Sequence, residues 1–414
     1  MYLRQSERTI YKMKDNESVF HNKKALAILS IGTITILGSM AVSPALAGIK
    51  NAFPHLSDSD IQLVMTVPAL FVIPACLCCK MITDKIGNKN TLILGIILYL
   101  IGGVGGGLMP NFYFMLIARA ILGISCGLLT PLAQTLISAN FSGEFKERLT
   151  GYPASASYLM GIIASFTVGK IAVIHWRLAF LVYLIAFIVL YLNIRYLPKD
   201  KHSANSVFLH KNTKVNKKAI PLIISMSLVN IAFYTFSTSI ALFMKNEHIG
   251  NDSTSGYVVA VFMAAGFFVG LITVNVRKAA GDFSTVIAAV TMDMGYIMMS
   301  LTNALSLLMM SAALISSSYS IFYSNIFLKI GKISSSSNEN KKLITYATAA
   351  MYTGQTVSVY ILKLTESLLG YEGYRFRFAF LGISLFIAAA IITILIFIHR
   401  KKKQIYNSKD TRNG

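Results

Sequence analysis

The stretch Pro198–Lys218, PKDKHSANSVFLHKNTKVNKK, decides how the chain is organised. It holds Lys199, Lys201, Lys211, Lys214, Lys217 and Lys218, and it is the most polar break in the middle of a chain that is 55% hydrophobic and only 13% charged. Six apolar runs precede it, near 25–49, 60–80, 91–109, 112–138, 150–173 and 178–197. Six more follow, near 219–244, 255–276, 283–302, 305–328, 343–368 and 376–398. A helix that crosses a bilayer needs roughly 20 mostly apolar residues, and these runs have that length. A soluble chain of 414 residues with a mean hydropathy of +0.61 could not bury so much apolar surface in one core, so lipid must be the solvent for much of it. In hydrocarbon each segment must satisfy its own backbone polar groups, which selects helices. The expected fold is therefore an all-α membrane protein of twelve transmembrane helices in two six-helix bundles. The expected organisation is an N-terminal segment 1–24, a first bundle 25–197, a central loop 198–218, a second bundle 219–398 and a basic tail 399–414. Six-plus-six is the sequence shape of a duplicated carrier.

The formal charge of +21 raises the question of nucleic acid, but the Lys and Arg residues punctuate the apolar runs instead of forming one basic face. Nucleic acid is therefore not an expected partner; the lipid bilayer is. Counted by loop, 30 of the 38 basic residues fall on the termini and the even-numbered loops. Six fall on the odd-numbered loops, Lys50, Lys170, Arg177, Lys245, Arg375 and Arg377, and two, Arg119 and Lys363, within spans. Positive short loops stay inside, so both termini are expected in the cytoplasm of a multi-pass protein of the cell membrane. Lys23, Lys24 and the run ending Ala45-Leu46-Ala47-Gly48 imitate a signal peptide, yet the apolar stretch is too long for one and reads as the first span.

Cys76, Cys78, Cys79 and Cys126 all lie in apolar runs, which suits small packing residues better than a metal or redox site. There is no G-x-x-x-x-G-K-S/T phosphate loop and no H-E-x-x-H, so neither an ATP-driven pump nor a membrane enzyme is expected, and no cofactor. Gly102, Gly103, Gly106 and Gly107 in the third span, and Gly266 and Gly270 in the eighth, are spaced to let helix backbones approach closely.

The loop after the second span, Lys80 to Lys89, reads KMITDKIGNK. It resembles the signature loop of the major facilitator superfamily, G-x-L-x-D-R-x-G-R-K/R, through Asp84, Lys85, Gly87 and Lys89, and departs from it at Lys80, Ile82 and Asn88. The resemblance implies a conformational latch at Asp84, Lys85, Gly87 and Lys89 that helps hold an outward-facing state. A carboxylate near a helix N-terminus is favoured by the helix dipole. In the fourth span Arg119, Gly123 and Gly127 resemble the family's R-x-x-x-G-x-x-x-G pattern, which implies a coupling or anion-binding role for Arg119 and helix packing for the two glycines. Weaker echoes lie at Phe141 to Gly151 and at Trp176-Arg177 with Phe180. The drug/proton antiporter motif of the fifth span is absent, with Gly161 and Gly169 remaining as packing positions and Ser165 and Phe166 where Gly-Pro would stand.

Asp293 is the one carboxylate expected near a midplane and is the candidate proton-coupling group. Lys363 and Glu366 are three apart near the outer end of the eleventh span and are expected to pair or to snorkel. The resemblance places Gln134, Asn230, Tyr234, Asn325, Tyr352 and Gln355 on helices that border a central cavity, as substrate contacts or interhelical hydrogen bonds. The expected function is secondary transport of a small molecule: export of amphipathic organic compounds coupled to protons, by rocking of the two halves. The alternatives are an importer or uniporter of a polar nutrient or organic anion, and a membrane sensor built on a carrier fold.

Overall fold

The computed structural model describes residues 23–141, 143–197 and 216–410, without the side chains of 143–156, 399–410 and a few single positions. The expected N-terminal segment, most of the central loop and the end of the tail lie outside the described residues. Within them the protein is built from α-helices in twelve passes. The first pass is α1 (Lys23–Met40), a 3-10 turn (Ser43–Ala45) and α2 (Leu46–Ala52). Then come α3 (Asp58–Ile86), α4 (Asn88–Leu108), α5 (Phe112–Asn140) and α6 (Gly143–Ile174), followed by a 3-10 segment (Trp176–Leu184) that runs into α7 (Ile185–Tyr196). The second half consists of α8 (Ile220–Asn246), α9 (Asp252–Ala280), α10 (Ser284–Leu301), α11 (Leu305–Ile333), α12 (Ser337–Leu369) and α13 (Tyr374–Asp410). Ten of the described helical segments are long and apolar enough to cross a bilayer unaided. The other two passes are the broken first one and the more polar α12.

Local chemistry sets the ends. Ser57 and Asp60 form a capping box that starts α3, and Asn251 with Thr254 forms another that starts α9. Asn111 and Ser336 accept the N–H of Phe114 and Glu339 to start α5 and α12. Gly87, at φ 82°, makes the tight turn between α3 and α4 that a side chain would strain. The sequence pattern implies one unbroken first span, but Pro44 has no N–H to donate and its ring opposes a helical path through the preceding turn. The helix stops at Met40 and restarts at Leu46.

Within the first half the glycine ridge of α4 is a docking surface. A Cβ on Gly102 would meet the backbone N of Leu122 at 2.4 Å, and Gly103 and Gly106 lie against the rings of Tyr183 and Phe180. Gly123 and Gly127 of α5 meet the backbone of α3 at Pro68 and Val72 in the same way, and Gly161 is buried in α6. Gly266 packs against Ser316 and Tyr158, whereas Gly270 has open space and faces a cavity instead of a helix.

The halves touch through α3 against α12 and α6 against α9. Hydrogen bonds between them gather at the end of the bundle that carries the loops at 53–57, 247–251 and 370–373. Ser43 donates to the carbonyl of Ser237, and Ser255 to that of Pro44 at 3.2 Å. Gln62 donates to Thr238 O and Ser239 Oγ, both at 3.1 Å, and Gln355 to Met65 O at 3.2 Å. At the rim Asp58 accepts Tyr374 Oη at 2.8 Å and Asn246 Nδ2 at 3.2 Å. Gly169 and Gly256 meet almost backbone to backbone, where a Cβ on the first would stand 2.8 Å from the Cα of the second. The other end, which carries the turn at Gly87, is called the basic end below, after the Lys and Arg residues of its loops.

Candidate functional site

On the basic-end side of this closed seam the halves diverge and enclose a cavity of about 510 Å³. The first half contributes Gly32, Thr35 and Met40 from α1, Thr130 from α5, and Ser157 and Tyr158 from α6. The second half contributes more: Phe233 and Tyr234 of α8, Met263, Gly266, Phe267, Gly270, Leu271 and Thr273 of α9, Tyr319, Ser320, Tyr323 and Ser324 of α11, and Met351 and Tyr352 of α12. Among these lining residues none is charged. The walls are rings, thioethers and hydroxyls, with small residues at Gly32, Gly266 and Gly270 making the room.

The aromatic wall is a stack with a fixed geometry. Phe233 lies face to face with Tyr319 at 3.8 Å, Phe262 lies 4.9 Å from Phe233, and Tyr323 is 6.0 Å from Tyr319. Asn230 stands behind this wall, fully buried. Its Oδ1 accepts the Tyr319 hydroxyl at 3.1 Å while its Nδ2 donates to Met226 O at 2.8 Å. Tyr158 of the first half stands beside Ser320 of the second, and Tyr352 of the second beside Thr130 of the first, so both reach from one half toward the other at the cavity.

The residues singled out from the sequence divide accordingly. Tyr234 and Tyr352 line the cavity. Asn230 supports it from behind. Gln355 is not among the lining residues: its Nε2 donates to Met65 O at the seam, and its Oε1 is buried without a partner among the described residues. Asn325 is also elsewhere, donating to Ser284 Oγ at 2.9 Å between α11 and α10. Asp293 lies on α10, which packs against α11 and α13, and is not among the lining residues. The Gln134 side chain lies outside the described residues. Arg119 is fully buried inside the first half, donating to Tyr183 Oη at 2.8 Å, with its guanidinium 4.7 Å from the centre of the Phe180 ring and 5.1 Å from that of Tyr183. It is not among the residues that line the cavity, and its Nε and Nη2 are buried without a hydrogen-bond partner among the described residues.

At the basic end Asp84 and Lys85 are exposed, and no ion pair to either is described. Lys89 donates to the carbonyls of Ile194, at 3.0 Å, and of Leu197, and so closes the C-terminus of α7. Glu366 does not pair with Lys363, which is exposed. It turns to Arg377 in a buried, two-pronged ion pair at 2.7 and 2.8 Å, because α13 and not α12 presents the cation at that depth. Sequence reasoning missed Tyr158, Phe233, Met263, Tyr319 and Tyr323. An aromatic or methionine within an apolar run signals burial but not which side of the helix faces a cavity.

Twelve passes in two halves, a seam closed at one end and a cavity between the halves at the other make up the arrangement of a carrier. The sequence model of the Major Facilitator Superfamily matches residues 28–359. The chain belongs to that superfamily. Its relatives include an MFS-type transporter, YwfA, of Bacillus subtilis, 20% identical over 60% of this chain and 63% of that protein. They also include the quinolone resistance protein NorB of Staphylococcus aureus, 24% identical over 43% of this chain and 39% of that one. A D-xylose-proton symporter-like protein of Arabidopsis thaliana is 28% identical over 33% of this chain and 27% of its own length. In each case the match spans less than two thirds of the relative. Among solved structures the fold is shared with a bacterial homologue of the human lysosomal transporter Spinster in an inward-facing, occupied conformation, at a TM-score of 0.70 and 15% identity, covering 92% of this chain and 97% of that one. It is shared equally with a D-xylose-proton symporter, at a TM-score of 0.69 and 13% identity, covering 89% and 96%. The protein is thus a multi-pass membrane protein of the Major Facilitator Superfamily fold.

Proposed function

We propose that this transporter exports small amphipathic organic compounds across the cytoplasmic membrane by alternating access, with the basic end and both termini in the cytoplasm. The carrying observation is the lining of the cavity: tyrosine, phenylalanine and methionine walls dotted with hydroxyls, without a charged side chain among the described lining residues. Such a wall recognises apolar area and rings, with a few hydroxyls to orient the ligand. In this conformation the cavity lies on the side of the basic end, where a cytoplasmic compound would load. The exposure of Asp84 supports the same reading, because a latch of the kind that the superfamily's signature loop implies for the outward-facing state would hold that carboxylate in a contact.

The second reading, uptake of a sugar or polyol, is favoured by the likeness to xylose symporters. A polyol needs several amide or charged partners, and no amide or charged side chain is among the described lining residues, the Asn230 amide behind the wall being committed to Tyr319 and Met226. The proton route expected through Asp293 finds no support in the lining, so export is proposed without a proton step in the cavity.

The test is transport into proteoliposomes containing only this protein, with internal pH followed while aromatic amphipaths, sugars and organic acids are added one at a time. Uptake of an aromatic amphipath, unchanged in Asp293→Asn, is the expected result. Saturable sugar uptake would overturn the reading, and proton movement lost in Asp293→Asn would restore that residue as the coupling group.

A further inference from the structure

The cavity's described lining is uncharged, but its mouth is not. α9 turns its last cavity-lining residue, Thr273, toward the space and places Arg277 one turn further on, in the final turn of the helix. The half-buried Arg277 points across to α11, its Nη1 lying 3.5 Å from Oγ of Ser324, which itself lines the cavity. A cation in the last turn of a helix is favoured by the helix dipole, which accounts for a positive charge there but not for its approach to a cavity hydroxyl. No carboxylate among the described residues pairs with Arg277. The described ion pairs, Lys50 with Asp58, Arg375 with Glu247 and Arg377 with Glu366, all lie at the opposite end of the bundle.

Resting on the reading of the cavity as a site for amphipathic compounds, we propose that its ligands are amphipathic monoanions, with the anionic head held by Arg277 and Ser324 at the mouth and the apolar body laid against the Tyr319 and Phe233 wall. The reasoning is one of matched parts. An anion inside a cavity of low dielectric needs a charge-assisted donor, and a guanidinium presents several in one plane. The hydroxyl of Ser324 adds a neutral donor beside it. A cationic amphipath entering the same way would have to pass Arg277 and the exposed Lys278 and would find no carboxylate in the described lining. The surplus of Lys and Arg on the loops of this end draws anions toward the mouth and repels cations. Energetics agree as well. Export of a monoanion from an electrically negative interior runs downhill by a ratio of roughly fifty per 100 mV, so no acidic proton-coupling group is required in the cavity.

The test uses the full chain in nanodiscs and three probes that share one ring system and differ in head charge: naphthalene-2-sulfonate, 2-naphthol and trimethyl(2-naphthyl)ammonium. Binding is read by calorimetry against empty discs. The sulfonate should bind at least about tenfold tighter than the ammonium probe, the ratio that one charge-assisted hydrogen bond supports. Arg277→Gln should cut that preference to the small excess that Lys278 and the loop charges supply and leave 2-naphthol unchanged, Arg277→Lys should keep more of it, and Tyr319→Leu should weaken all three. The ranking in the unaltered protein is a test in itself and needs no variant to fold. Equal or tighter binding of the ammonium probe, or a preference undiminished in Arg277→Gln, overturns the proposal. Binding of 2-naphthol without the sulfonate overturns it while the amphipath reading stands. If none of the three binds saturably, the amphipath reading fails and the proposal falls with it.

Discussion

The contact between Gly169 and Gly256 is the tightest point of the closed seam, and replacing Gly169 by valine should move the protein toward its other conformation. A Cβ at position 169 would stand 2.8 Å from Gly256 Cα and 3.0 Å from the carbonyl oxygen of Asp252. Both are backbone atoms of α9 and have no side-chain freedom with which to yield. Ordinary contact between carbons is about 3.5–4.0 Å, so α6 and α9 must part locally by roughly an ångström. Overpacking of this kind costs about 1–3 kcal/mol. The contact crosses the halves and exists only where they are shut at this end, so the penalty falls on the closed state and should shift the closed-to-open ratio by about 5- to 150-fold. The assay is a distance distribution between spin labels at Pro110 and Glu372, exposed residues on opposite halves at the closed end, in a background lacking Cys76, Cys78, Cys79 and Cys126. The variant should gain a longer-distance population. Gly123→Ala is the control, because its Cβ would lie 2.1 Å from Pro68 O within one half. It should lower thermal stability and leave the distances alone. If Gly169→Val leaves the distribution unchanged, or Gly123→Ala moves it as far, the seam does not set the state.

Three further outcomes follow from other contacts. Glu366→Gln leaves Arg377 buried without its partner and should destabilise the protein by about 3–5 kcal/mol, most of it regained in the double variant Glu366→Gln, Arg377→Met; a thermal-unfolding series checks the order. Glu339 accepts the N–H groups of Ser335 at 2.7 Å and Asn216 at 2.8 Å, and these hold its carboxyl below the usual carboxylate range. The stability it supplies is therefore full above its ordinary value of 4.5 and lost as pH falls through the lower folded value, and Glu339→Gln should flatten that acid limb in a melting profile taken against pH. Asp84→Asn should leave thermal stability within about 0.5 kcal/mol, since Asp84 is exposed in this state, while the same spin labels report a larger share of the conformation seen here.

The passes were legible because lipid and water impose opposite demands on neighbouring stretches of chain. The glycines were legible for a related reason, since Gly102, Gly123 and Gly127 have no use in a membrane helix except to admit a neighbouring backbone. The cavity was not legible in the same way. In a soluble protein a ring on the outer face of a helix would betray itself by breaking a polar stripe, but a membrane helix is apolar toward lipid and toward its neighbours alike. Tyr319 and Phe233 therefore carry no periodic sign of facing a ligand. Polar residues left two alternatives open for the converse reason: Gln355 and Asn325 stand out in an apolar run, and of substrate contact and interhelical hydrogen bonding both make the second. Arg119 stands out as a cation within a span, and the two rings beside its guanidinium come from Phe180 and Tyr183, 61 and 64 residues later, a separation that no local pattern encodes. Arg277, by contrast, looked like one more topological charge at a helix end. Only the packing of α9 against α11 turns it toward Ser324, and that packing depends on Gly266, whose missing side chain admits Ser316 and Tyr158 and leaves the cavity its width. A larger residue at 266 would close the space from the α9 side before any ligand reached the aromatic wall, so cavity width and the aim of the charge at its mouth rest on the same helix.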